Sequence, residues 1–498
     1  MTTGSKPGTK TLSTKKQFID RLGKMRRNVY FDGHLIDRTD ELQMNTINII
    51  GSTYDFAQDP RFQDLVLAKS HITGNTINRF THVHQSKEDL HKKQDMTRAL
   101  CQQVGGCIQR CMGIDGTNAC NAISFEADKH NKGATEYHKN FLKWLESFQT
   151  KDLVGCCAQT DVKGDRMKRP SQQQDPDLYL HIVERKSDGI VVSGCKVHNS
   201  EASTADEIVV VPTRSLLPEE KDWAVAFAIP ADWEGIKQVV TIHNLRERKH
   251  YKKGVMQGAT DSYTIFDKAF IPWERVFVAG ETIHGAVGAL LFALFHRHSY
   301  SGCKPAIGDL MLGTVALAAE YNGIAKAGHV REKLAELIMV SELGYAAGFT
   351  ASELGRPEVY IPGMGFMPYG PGSFIPNSIY ANVGRCLTGE AVYREAEILC
   401  DVAGGIPATF PHEGDFLNPE TRELLEKYTM RNPDIKVDDA IKLWMHVGDM
   451  LCSATGGIAQ VGGFHGGGSP VMEQIAITTQ YDIEACKNMA KRIAGIES

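Results

Sequence analysis

Within "DVKGDRMKRPSQQQDPDLYLHIVE", residues 161–184, the hydrophobic period of the chain changes. Before it, "TRALCQQVGGCIQRCMGI" (97–114) and "TEYHKNFLKWLESFQ" (135–149) carry apolar residues three and four apart with few prolines, the pattern of amphipathic helices. After it come "LYLHIVE", "GIVVSGCKVH", "EIVVVPT", "WAVAFAIP" and "QVVTIHN", short, rich in β-branched residues and separated by turn signals, which predicts strands. From 284 the helical spacing returns. It runs through "LMLGTVALAAEYNGIAKAGHVREKLAELIMVSELGYAAGFTASEL" (310–354), broken at Asn322-Gly323 into two helices, and through helices expected at 376–400, 438–457 and 470–494. "PEVYIPGMGFMPYGPGSFIP" (357–376) and "AGGIPATFPHEGDF" (403–416) are rich in glycine and proline and read as loops. The order α, β, α predicts an α+β chain: a disordered tail at 1–16, a helical domain at 17–150, a mostly antiparallel β domain at 151–283 and a helical bundle at 284–498.

Composition bounds the partners. The chain has 498 residues, room for several packed units. A formal net charge of −5 and 23% charged residues give no electrostatic footprint for nucleic acid or an anionic membrane. The longest apolar run, "AVGALLFALF" (286–295), is about half a bilayer span. "MTTGSKPGTKTLSTKK" is followed by no apolar core of a signal peptide, so a cytoplasmic location with reduced thiols is expected. Twelve cysteines are then free to pack or to bind metal. Cys157, Cys195, Cys400, Cys452 and Cys486 lie among apolar or small residues and read as packing.

Two stretches stand out. "CIQRC" sets Cys107 and Cys111 four apart, one face of a helix if the segment is helical. "FHRHSYSGCK" (295–304) sets His296 and Cys303 seven apart, with Tyr300 between them at plus four. If the two segments face each other, three sulfurs and an imidazole converge. That donor set suits structural zinc, which prefers closely spaced ligands on short loops, or an iron–sulfur cluster, which spans larger separations. Cysteines four apart on a helix also occur as ordinary packing.

The sequence resembles the 4-hydroxybutyryl-CoA dehydratase family, flavin and iron–sulfur enzymes related to the flavin-dependent 4-hydroxyphenylacetate 3-hydroxylases. The resemblance runs through "YDFAQDPRFQDLVLAKS", "TINRFTHVHQS", "CIQRC", "TDVKGDR", "QDPDLYLHIVE", "GIVVSGCKVH", "IFDKAFIPWERVF", "HRHSYSGCK", "DVAGG", "FHGGGSP" and "AKRIAGI". It implies an acyl-CoA-dehydrogenase-like fold ending in a four-helix bundle, a homotetramer, FAD shared across a subunit interface, and a [4Fe-4S] cluster held by Cys107, Cys111, His296 and Cys303. For FAD it implies Gln159, Thr160, Lys163, Asp165 and Arg166 in "QTDVKGDR", His198 and Ser200 in "VHNS", and Gly404 and Gly405 in "DVAGG". Read without it, 159–166 is a polar linker and the two glycines cap a helix.

Tyr300, Lys304 and Gln109 match active-site positions of the family. Asp261 stands where the family has a glutamate, and Gly462 where it has a second one, so that His298 or His465 would have to replace that carboxylate. The implied reaction removes water from a 4-hydroxyacyl-CoA, with His296 as base at C2, FAD as a one-electron partner and a cluster iron as Lewis acid on the hydroxyl. The changes at 261 and 462 keep open a different acyl-CoA or isomerisation alone. A flavin-dependent aromatic hydroxylase and a silent structural subunit remain as further alternatives.

Overall fold

The computed structural model describes residues 12–244, 246, 248–255, 257–361, 365–368 and 373–496. Its architecture is mixed α+β. Residues 1–11 of the expected tail lie outside the described residues. Helix α1, Lys15–Leu22, opens directly after them on a Thr14–Gln17 capping box.

The first block is helical, with two small strand pairs that the spacing did not reveal. Strands β1 (Val29–Phe31) and β2 (His34–Ile36) follow α1. Helices α2 (Met44–Gln58) and α3 (Gln63–Val66) lead into the hairpin β3 (Leu67–Lys69) and β4 (Thr76–Asn78). Then come α4 (Lys87–Val104), α5 (Cys111–His130) and α6 (Tyr137–Thr150). Helix α5 buries most of its circumference, from Cys111 through Ala127, because sheet packs on one side and helix on the other.

The central strands are β5 (Gly155–Ala158), β6 (His181–Arg185), β7 (Gly189–Ser200), β8 (Glu207–Val210), β9 (Val225–Pro230), β10 (Ile236–Asn244), β11 (Gly258–Pro272) and β12 (Val276–Ala279). They form two sheets, ordered β2-β1-β10-β11-β7-β6 and β12-β9-β8-β5. All pairings are antiparallel except β1 with β10 and β5 with β8. The longest strand, β11, escaped the sequence reading for a physical reason. Its buried face carries Thr260, Ser262 and Thr264 before Phe266, so the alternation of burial is not an alternation of hydropathy.

The chain then returns to helix as expected: α7 (Thr282–Tyr321), α8 (Gly328–Glu353), α9 (Ser378–Glu390), α10 (Val392–Ala403), α14 (Val437–Leu451), α15 (Ala454–His465), α16 (Pro470–Gln480) and α17 (Ile483–Ala494). The break falls at Asn322–Gly323, as the sequence predicts. The segment 403–416 is not all loop: it contains α11 (Ile406–Thr409) and α12 (Glu413–Leu417), with α13 (Arg422–Thr429) after them. The segment 357–376 carries strands β13 (Glu358–Ile361) and β14 (Gly365–Pro368); residues 362–364 and 369–372 lie outside the described residues. No described helix is long and apolar enough to cross a membrane.

One apolar core joins α5, α6, both sheets and the first turns of α7. A second lies among the later part of α7 and α8, α10 and α14. A third, smaller core contains Cys111, Cys303, Ile108, Met96 and Leu100, with Tyr300 against it. That third core sits where α4 and α5 meet α7.

Candidate metal centre and flavin site

Helix α4 ends at Gly105, whose φ of 64° is the left-handed C-cap that glycine adopts without strain. The next residues are not helical. Cys107 to Arg110 form a turn, with Gln109 at φ 63°, and α5 begins at Cys111. The two cysteines are therefore not stacked on one helix, and the expectation of a shared helical face at Cys107 and Cys111 is corrected. The turn nevertheless folds Cys107 back, so that its thiol stands within hydrogen-bond reach of both Cys111 and Cys303. The Gln109 amide also donates to Cys107 Sγ at 3.4 Å.

Arg110 anchors the turn from beneath. Its buried guanidinium donates to Asp152 Oδ1 at 2.7 Å and to Thr53 Oγ1 at 2.8 Å, and lies 4.4 Å from the ring centroid of Tyr54.

The other half of the site rides on α7, where His296, Tyr300, Cys303 and Lys304 occupy successive turns of one helix. Pro305 lies inside that helix and cannot donate to the Ser301 carbonyl one turn earlier. Gln94 Nε2 on α4 supplies that hydrogen bond instead, at 3.3 Å. At Gly302 the two helices touch through backbone: a Cβ there would lie 2.0 Å from Thr97 Oγ1 and 2.4 Å from the Gln94 carbonyl oxygen. This close approach carries Cys303 to the cysteine turn.

Two residues that the sequence reading missed complete the centre. Asp115, four residues after Cys111 and so on the same face of α5, is fully buried and takes Lys93 Nζ at 2.5 Å. It also faces His296 Nδ1 at 3.1 Å and accepts Ser299 Oγ at 3.0 Å. Burial acts to raise its carboxyl, but Lys93 and His296 outweigh burial and hold it below the usual carboxylate range. An ionised carboxylate only accepts, so Nδ1 of His296 carries the proton toward Asp115, which leaves Nε2 as the nitrogen that could bind a metal. This carboxylate–histidine pairing orients metal-ligating imidazoles generally.

Cys111, Asp115 and His296 offer atoms within 4.8 Å of one another. Both Asp115 oxygens are already engaged, which leaves three thiols and one imidazole nitrogen as the available donors. Cys107 is exposed, whereas Cys111 and Cys303, within reach of its thiol, are buried. The hydrogen bonds from Cys111 and Cys303 hold its thiol well below the usual thiol range, and the same contacts push those two up. Soft sulfur donors of this number and placement fit an iron–sulfur cluster.

Tyr300 closes the recess, its ring edge-on to His296 at 4.9 Å and under the Arg385 guanidinium at 4.7 Å. Burial pushes its phenol up and Arg385 partly offsets this. Lys304 lies 5.8 Å from the same ring, its ammonium drawn down by burial. The glycines of "GGFHGGGSP" cover both: a Cβ on Gly466 would overlap Tyr300 Oη, and one on Gly463 would meet Lys304 Nζ at 2.9 Å. Gly462 itself is exposed. His298 turns away from the recess to Ser352 Oγ at 2.7 Å on α8, and His465 is exposed against Phe464, so neither stands in for a carboxylate beside Lys304.

A second group gathers across the recess. Asp261 on β11 pairs in register with Ser200 on β7 and accepts its hydroxyl at 2.5 Å. Gln109 Nε2 donates to the Gly258 carbonyl at 3.0 Å, which ties the cysteine turn to that strand. The Thr160 carbonyl accepts Val197 N at 2.8 Å, which lays 159–163 alongside the end of β7. Gln159 reaches the Ala289 carbonyl at 2.9 Å. Burial lowers the His198 imidazole, and Asp261 and Lys163 act on it in opposite directions. Asp165 and Arg166 are exposed beyond this group. Gly404, at φ 68°, and Gly405 end α10 in the helical layer, and no hydrogen bond of the 159–200 group reaches them. Open space surrounds both glycines.

Comparison with known proteins follows the same lines. The family models described as 4-hydroxyphenylacetate 3-hydroxylase N terminal and C terminal match residues 14–278 and 289–495. The 4-hydroxybutyryl-CoA dehydratase/vinylacetyl-CoA-Delta-isomerase of Clostridium aminobutyricum is 36% identical over 502 residues, covering 98% of this chain and 100% of that protein. The oxygenase component of 4-hydroxyphenylacetate 3-monooxygenase from Thermus thermophilus is 25% identical, with 89% of each chain covered. Among solved structures, an oxygen-tolerant archaeal 4-hydroxybutyryl-CoA dehydratase from N. maritimus superposes with a TM-score of 0.90 at 33% identity, covering 98% of this chain and 96% of that one. A 4-hydroxyphenylacetate 3-monooxygenase oxygenase complexed with FAD and 4-hydroxyphenylacetate shares the fold, with a TM-score of 0.80 at 24% identity and coverage of 97% and 98%.

Proposed function

Because this chain belongs to the 4-hydroxyphenylacetate 3-hydroxylase family, we propose that it dehydrates 4-hydroxybutyryl-CoA to crotonyl-CoA and isomerises vinylacetyl-CoA, with FAD and a [4Fe-4S] cluster as cofactors. One observation carries this reading within the family: Cys107, Cys111, Cys303 and His296 surround one recess, with the histidine turned by Asp115. An oxygen-activating hydroxylase has no use for such a donor set.

The cluster's ligands would be those four residues. FAD would lie along Gln159, Thr160, Lys163, Asp165, Arg166, His198 and Ser200, with Gly404 and Gly405 of a second copy closing over it in a homotetramer. The open space around those glycines within one chain supports that division. When bound, the pair supplies reversible electron transfer and a Lewis-acidic iron for the substrate oxygen.

The chain's own residues supply the rest. His296 has a single lone pair, on Nε2, so it serves either as ligand or as base at C2, one at a time. Asp261, held by Ser200 Oγ, can take or return a proton on the opposite wall. Lys304 and Tyr300 would supply donors to hold the departing oxygen. Gln109 keeps the cysteine turn against β11. The glycine-rich segment lies directly against Tyr300 and Lys304.

Anaerobically purified protein, incubated with 4-hydroxybutyryl-CoA and separately with vinylacetyl-CoA, tests the assignment. Crotonyl-CoA from both is the expected result; from vinylacetyl-CoA alone it is an isomerase, the second reading that Asp261 and Gly462 favour. Conversion of neither, with hydroxylation of a phenol instead, contradicts the proposal.

A further inference from the structure

The chain carries a formal net charge of −5, yet "RERKHYKK" (246–253), between β10 and β11, holds five lysines and arginines against one glutamate. This strap is fastened to the helical layer at three places. Tyr251 is buried in a small core with Phe416, Ile441 and Met445, its ring 6.2 Å from that of Phe416. Glu413 on α12 accepts the backbone N–H groups of Lys249, His250 and Tyr251 at 3.0, 2.6 and 2.8 Å. Asp449 on α14, itself buried, takes Arg248 at 2.5 Å and Lys253 at 2.6 Å.

These anchors engage both carboxylates and leave cations over. Arg246, Lys249 and Lys252 are exposed, and among the described residues none of the three has an ion pair or a side-chain hydrogen bond. Their backbone is already fixed, so holding an anion there costs little further ordering. The strap also leads back to the cysteine turn. Gln257 donates to the Gly105 carbonyl, and the Gly258 carbonyl accepts Gln109 at 3.0 Å. Lys252 stands six positions before Gly258, so at most about 20 Å of extended chain separates them. A thioester whose acyl group reaches the cysteine turn carries its phosphates at the far end of a long pantetheine arm, which spans a separation of that order.

We propose that Arg246, Lys249 and Lys252 bind the pyrophosphate and 3′-phosphate of a CoA thioester. The inference rests on the functional reading above and deepens it, by assigning the part of the substrate that does not react to its own site. Guanidinium and ammonium groups donate charge-assisted hydrogen bonds to phosphate oxygens. Exposed cations also draw a polyanion in from solution, an attraction that salt screens.

The test compares vinylacetyl-CoA with vinylacetyl-pantetheine, which lacks the phosphates, in the wild type and in a variant combining Arg246→Ala, Lys249→Ala and Lys252→Ala. Iron content and thermal midpoint are measured alongside. The expected result is a KM for the CoA thioester raised about 10- to 100-fold, with kcat and the KM for the pantetheine thioester unchanged. The wild-type KM for the CoA thioester should also rise with salt, and that of the variant should rise less. An unchanged KM for the CoA thioester, or an equal rise for both thioesters, overturns the proposal. A wild-type protein that makes crotonyl-CoA from neither 4-hydroxybutyryl-CoA nor vinylacetyl-CoA overturns the functional reading instead. Calorimetric titration with CoA itself then still decides the strap: binding weakened in the variant supports the site, and equal or absent binding in both proteins overturns it.

Discussion

At the scale of single residues, the centre depends on Asp115 as much as on the atoms that would bind metal. It is the buried counter-ion of Lys93 and the group that fixes the His296 tautomer. Asp115→Asn keeps the shape but loses the charge, and the expected result is cluster affinity lower by about 10- to 100-fold, read as iron retained after dilution and gel filtration. Lys93→Met leaves Asp115 buried without its cation. The expected loss is about 3–5 kcal/mol of stability, measured by denaturant unfolding of the apoprotein. The cysteines, His296, Tyr300 and Lys304 were legible because their types are rare and their spacing is tight. Asp115 and Lys93 were not, since an aspartate or lysine on a helix is normally a solvated residue; only the step of four from Cys111 to Asp115 pointed inward.

At the scale of elements, the contact of α4 with α7 is what makes a site from segments almost 190 residues apart. Gly302 permits it, and Gln94 repairs the helix at Pro305. Gly302→Ala inserts a methyl group where Thr97 Oγ1 and the Gln94 carbonyl already stand, so the helices must separate. The expected cost is about 1–3 kcal/mol, seen as a lower thermal midpoint, together with weaker iron retention because Cys303 retreats from Cys107. The helix–strand–helix order was readable from period alone, and five of the central strands fell where alternation and turn residues put them. Strand β11 was hidden by threonine and serine on its buried face. The Cys107–Arg110 turn was hidden because four-residue spacing between cysteines suits a helix, while Gly105, only two positions before Cys107, ends α4.

At the scale of the whole molecule, two features bear on assembly and stability. Helix α17 buries none of its residues, and Met489 and Ile493 on it are 51% and 78% exposed, as expected of a face that another copy covers. Light scattering is expected to give four 55.0 kDa chains per particle. Half-buried His138 and buried His284 have imidazoles lowered from 6.5 to about 4 mainly by loss of hydration. The unfolded chain binds protons that the folded chain refuses between those values, so the stability they contribute is complete above about pH 6.5 and declines as pH falls toward 4. Thermal midpoints measured across that window should drop, and the drop should shrink in His284→Phe.

The central claim is that Cys107, Cys111, His296 and Cys303 hold one iron–sulfur cluster. Iron and acid-labile sulfide determined on anaerobically purified protein test it most directly. The account predicts about four of each per chain in a brown protein, and loss of both in Cys303→Ala. A yellow protein without iron, or a Cys303→Ala variant that keeps the full complement, would contradict it.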